Sequence, residues 1–153
     1  MSRTNMTTPS TNDHLRALLF PVDGCVAPLP IDPRDVLAGL YRAIQCSTVD
    51  VVALYRGIDL WCDDEGFWKA PVRPNRVWLV HRCTSLHPQH LVGHVVALGR
   101  TDDGTARSLS VDEAQLAIES VLAIPPSLGE AGAWRPARRQ LAAWLERGVD
   151  WLS

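Results

Sequence analysis

No stretch of this sequence approaches the ~18 consecutive apolar residues that a membrane-spanning helix needs, so no membrane role is expected of it. Net charge is nearly absent as well: Lys and Arg total 15, Asp and Glu total 17, and the formal charge is -2. That balance gives no general attraction to nucleic acid or to an anionic lipid surface, and it is too slight for an acidic mimic of DNA. Neither G-x-x-x-x-G-K nor G-x-G-x-x-G occurs, which removes the familiar phosphate-cradling loops. No internal repeat is visible. The four cysteines, Cys25, Cys46, Cys62 and Cys83, are scattered and include no C-x-x-C pair. The apolar run at 15–22 contains Arg16 and Pro21, stops at Asp23, and is short and late for a secretion signal. The expectation is a cytoplasmic protein with four reduced thiols.

What is present is a globular composition. Hydrophobic residues make up 46% and charged residues 21% of 153, enough for one domain with a core of its own. The polar opening, 1–13, reads as a disordered tail. A strand is expected over 15–22, closed by Asp23-Gly24, and an extended proline-bearing stretch over 25–31. Asp32-Pro33 is expected to open a helix whose buried stripe is Val36, Leu37, Leu40, Tyr41 and Ile44. From 49 to 100 the sequence turns β-like. Runs at 49–56 and 58–62 lead to the turn Asp63-Asp64-Glu65-Gly66, after which 67–69 would pair back as a short arm. A strand at 76–82, a loop at 84–89 and a nearly all-apolar central strand at 91–98 follow. Ser110 and Glu113 form a capping box ahead of a helix with the stripe Ala114, Ala117, Ile118, Val121 and Leu122. After Pro125-Pro126 and a small-residue linker, a last helix begins near Pro136. Its apolar side is Leu141, Trp144, Leu145 and Leu152, and its basic side is Arg135, Arg138, Arg139 and Arg147. The predicted class is α+β, with a mainly antiparallel central sheet of four to five strands and about three helices. The expected organisation is a tail at 1–13, an α+β domain at 14–124, and a linker with a C-terminal helix packed on it at 125–153.

Several motifs in this middle half carry a family resemblance: L-Y-R-A-I-Q at 40–45, V-D-V-V-A-L at 49–54, D-D-E-G at 63–66, P-N-R at 74–76 and L-V-G-H-V-V-A-L-G at 91–99. In their order they resemble a domain-of-unknown-function family of short proteins common in phages, plasmids and other bacterial mobile elements. That family has no assigned activity, so the resemblance transfers no catalytic residues. It implies an intracellular bacterial or phage setting. The C-terminal helix rich in Trp and Arg departs from the family pattern.

Candidate chemistry is thin. His81, Cys83 and His94, with His87 and His90 nearby, offer imidazole and thiolate ligands suited to zinc, but at no standard spacing. The carboxylates of Asp63, Asp64 and Glu65 read as a solvated turn rather than as an acid–base pair. No cysteine sits in a nucleophile signature, and no cofactor is expected. Trp134 and Trp144 with Arg138 and Arg139 make a basic aromatic face. Such a face suits either a protein interface or single-stranded nucleic acid, and with this net charge nucleic acid is the less favoured partner. Strand alternation also places Trp61 and Trp78 on the side away from Leu60 and Leu79. Two indoles on one sheet face need cover from the last helix or from a second copy.

The residues expected to bind are therefore Trp61, Trp78, Trp134, Arg138, Arg139 and Trp144. The leading reading is a non-catalytic binding module that acts on a host protein, sequesters a small ligand or pairs as a homodimer. The alternatives are a small metal-dependent enzyme using His81, Cys83 and His94, and a weak nucleic-acid binder using the C-terminal helix.

Overall fold

The structure is a computed structural model and describes residues 13–147. The tail (Asp13 apart), Trp151 and Leu152 lie outside the described residues. Within them two antiparallel sheets and four helices build an α+β fold. The first sheet has the order β2-β1-β7-β4-β3, formed by Leu15–Phe20 (β1), Ala27–Ile31 (β2), Val49–Tyr55 (β3), Ile58–Asp63 (β4) and Val95–Arg100 (β7), with Ala106–Arg107 (β8) added beside β7. The second has the order β6-β5-β9, formed by Pro74–Arg82 (β5), Ser85–Val92 (β6) and Val121–Ala123 (β9).

β7 is the apolar strand that the sequence leads one to expect at the centre. It pairs with β1 through Leu18↔Ala97 and with β4 through Leu60↔Ala97. Its two faces seed two cores. One gathers Ala17, Ile31, Val96 and Leu98 under the helix α1 (Val36–Ile44), which contributes Leu40 and Ile44. The other gathers Leu18, Phe20, Leu54, Ile58, Leu60 and Ala97 against Trp78 and Val80 of the second sheet. It also takes in the helix α2 (Val111–Glu119) and Leu141 and Leu145 of α4 (Arg138–Arg147). A strand buried on both faces needs no alternation, and this is why 95–98 reads as a continuous apolar run.

Local chemistry differs from expectation at several points. The α1 cap is Asp35, whose side chain accepts from the Ala38 N–H at 3.1 Å. Asp32 instead accepts from the Arg34 backbone and pairs with its guanidinium at 3.0 Å. Leu37 faces solvent, and half-buried Val36 and Ala43 pack with Leu40 and Ile44 in its place. The expected loop at 84–89 is most of β6, and the expected strand at 91–98 breaks at Gly93, whose φ is 73°. Leu91 and Val92 belong to the second sheet, and only 95 onward belongs to the first. The capping box at Ser110 and Glu113 is present. Val121 and Leu122 leave α2 to form β9, and a short helix, α3 (Gly129–Ala133), occupies the expected linker.

Trp61 and Trp78 do not share a face. Trp61 is half-buried in the α1-side core, whereas Trp78 sits in the other sheet at 0% exposure. The Trp78 ring meets Phe20 edge-on at 5.1 Å, and its Nε1–H donates to the Ala117 carbonyl at 3.1 Å. The reason for pairing two copies through those indoles is therefore gone.

Candidate functional site

The segment that follows β4 is held firmly at its base and bare at its tip. Asp63 accepts from the Glu65 N–H at 2.9 Å and forms an ion pair with Lys69. A single 3-10 turn, Gly66–Trp68, replaces the short pairing arm expected there, with Trp68 N–H donating to the Glu65 carbonyl at 2.9 Å. Gly66 is required: a Cβ there would lie 2.6 Å from a methyl group of Val92. At the far end the Arg73 carbonyl accepts from Gly93 N–H at 2.7 Å. Between these anchors Trp68 is 87% and Phe67 61% exposed, and Val72 is exposed beside them. Behind them runs a groove of about 340 Å³, lined chiefly by Phe67, Val72, Val77, His90 and Ile124. A tryptophan displayed on a pinned turn leaves a large apolar surface in water, which folding alone does not require.

The P-N-R motif lies next to this segment and does structural work. The Asn75 amide donates to the carbonyls of Phe20 and Gly93, both at 2.7 Å. Arg76 is buried and donates to the carbonyls of Pro21 at 3.0 Å and Gly24 at 2.9 Å, and to Asn75 Oδ1 at 3.0 Å. Its guanidinium also stands 5.5 Å from the Phe20 ring centre. Burial pushes the Arg76 pKa down, while the carbonyl oxygens take up the charge. The two side chains thereby tie the end of β1 to the start of the second sheet.

The residues singled out from the sequence divide into groups. Trp134 and Trp144 do come together, with ring centres 5.4 Å apart and planes tilted by 40°. They wall a groove of about 470 Å³ that also exposes Cys25 and Glu130. Arg138 is committed within the chain, bonding Asp112 at 2.6 Å and Gln115 at 2.9 Å and so fastening α4 to α2. Arg139 is exposed on α4. Trp61 and Trp78 belong to the cores.

The metal candidates are spread out. His81 packs edge-on against Tyr55 at 4.5 Å, and Cys83 occupies the β5–β6 turn with φ of 55°. His94 lies beyond the other end of that hairpin, past the full length of β6. Its Nδ1 accepts from the Val22 N–H at 3.3 Å, and burial pushes its pKa down. Among the described residues no three His, Cys, Asp or Glu side chains converge as a metal site. No disulfide joins the four cysteines. Burial and neighbouring Asp50, Asp63 and Asp64 push the Cys62 thiol up to about 12, so it is no nucleophile. No described helix is long and apolar enough to cross a membrane.

Sequence reasoning missed Phe67 and Trp68 because it treated them as strand. The available signal was two aromatic residues between an acidic Gly-ended turn and two prolines, a place where no regular element could bury them.

No curated protein and no solved structure matches this chain. A family described as a domain of unknown function, DUF3846, matches residues 15–122, a span that runs from β1 into β9 and takes in the P-N-R clasp and the Phe67–Trp68 turn. With well over half of its length matched, the chain belongs to the DUF3846 family.

Proposed function

We propose that this chain is a non-catalytic binding module that docks on a partner protein by seating Phe67 and Trp68 in an apolar pocket of that partner. The observation that carries the reading is the exposure of Trp68, 87% on a turn anchored at both ends. Tryptophan on a preorganised support is the residue type that dominates interface energetics, because its burial gain is large and little entropy is lost on docking. The groove beside Phe67 would accept an apolar side chain in return. Asp64 and Glu65 are exposed next to the pair, and this favours a partner with a basic rim. If the chain comes from a phage or mobile element, as its resemblance implies, that partner is a host protein.

A photoreactive phenylalanine analogue at position 68, expressed in the native host, tests the proposal. One discrete adduct is expected, absent when the probe is moved to position 139 and lost with Phe67→Ala. No discrete adduct, or one indifferent to Phe67→Ala, would overturn the reading. An adduct of twice the chain mass would replace the foreign partner with a second copy.

A further inference from the structure

A second groove, independent of the docking turn, has a chemistry of its own. It lies between the segment 25–27 and α3, is a broad groove of about 470 Å³ open to solvent, and shares no lining residue with the groove beside Phe67. Its volume falls in the range of small-ligand sites. The walls are Val26, Ala27 and the paired indoles of Trp134 and Trp144, with Cys25 exposed at one side. One ionisable carboxylate, Glu130, reaches into it and forms no ion pair with any described residue. Among the described residues no basic side chain lines the groove. The buried cation nearest in the chain, Arg76, is occupied behind this segment by the carbonyls of Pro21 and Gly24.

We propose that this groove binds a small methylated ammonium cation. Indole faces attract cations through their quadrupole, and the free carboxylate supplies the countercharge. The apolar walls select the methylated form. A bare ammonium is strongly hydrated and would lose that hydration against Val26 and Ala27, whereas methyl groups spread the charge and bury favourably there. Both rings line the groove with their centres 5.4 Å apart and planes tilted by 40°, and Glu130 and Trp134 stand one helical turn apart.

The position of Cys25 makes the proposal directly testable, with exposed Cys83 as an internal control. The folded chain is alkylated under native conditions with choline or with its neutral tert-butyl isostere, and the modification of each cysteine is followed by mass spectrometry. Choline is expected to slow alkylation of Cys25 by at least about fivefold while leaving Cys83 unchanged, and the isostere by less than about twofold. Glu130→Gln, a surface change that the fold tolerates, is expected to erase the difference between the two probes. Equal protection by both, protection that survives Glu130→Gln, or no protection of Cys25 at millimolar choline would each overturn the proposal. None of these outcomes bears on the docking role of Phe67 and Trp68.

Discussion

At the scale of single residues, two tryptophans ten positions apart illustrate opposite uses of the same side chain. Trp78 fills the larger core and spends its N–H on Ala117; Trp68 touches little and faces water. Trp78→Ala should cost about 3–5 kcal/mol through the cavity it leaves, and Trp68→Ala should change stability by less than about 0.5 kcal/mol. Chemical denaturation of both variants measures the contrast, and a large loss on removing Trp68 would contradict its exposed placement. His94 gives a pH signature. Its imidazole is kept neutral by burial and accepts from the Val22 N–H, so the folded pKa lies below the unfolded value of ~6.5. Below that value the unfolded chain takes up the proton first, and stability falls as the pH drops from ~6.5 through the lowered pKa. His94→Asn keeps a short acceptor near Val22 and should flatten stability across that window, measured as melting temperature against pH. Alternation along 58–62 placed Trp61 opposite Leu60 correctly. What it could not supply was which element lies over each face, and that decided the fate of Trp78.

Elements were most legible where caps and periodicity agreed. The Ser110–Glu113 box is present, and Arg107 grips Glu113 through both carboxylate oxygens at 2.7 and 2.8 Å, holding its pKa low. β6 was illegible because its first residues, with His87, Pro88 and His90, face solvent on a hairpin arm. Their order comes from the ladder to β5 rather than from any pattern of their own. The edges of the first sheet show how strand chemistry guards against unwanted pairing. β2 carries Pro28 and Pro30, which have no N–H to offer. β3 has no proline, but the Asp50 carboxylate accepts from the Val51 N–H at 2.8 Å, and a bulge near 53–55 breaks its line. Asp50→Ala frees that N–H and removes the charge from an edge of Val and Ala. The variant should scatter more light on concentration while keeping its melting temperature, and unchanged solubility would show that the bulge alone suffices.

Over the whole molecule, one antiparallel sheet was expected and two were found, because a strand-length run does not reveal where the chain changes sheets. Gly93 marks the change with its positive φ, and Asn75 and Arg76 brace the junction on the other side. The division also settles what covers the apolar faces. α1 lies over one side of the first sheet, while the second sheet, α2 and α4 lie over the other, so neither face of that sheet is left open for a twin. Among the described residues the most exposed aromatic pair is Phe67 with Trp68, on a turn too small to bury the area that stable dimers need, about 1,200 Å² or more. Sedimentation velocity at micromolar concentration should therefore give a monomer for the isolated chain. The same chain with Phe67→Ala and Trp68→Ala should sediment identically. A native dimer that the double substitution splits would mean that the turn docks on a second copy. A dimer that survives the substitution would move the interface elsewhere, with the β3 edge first in line.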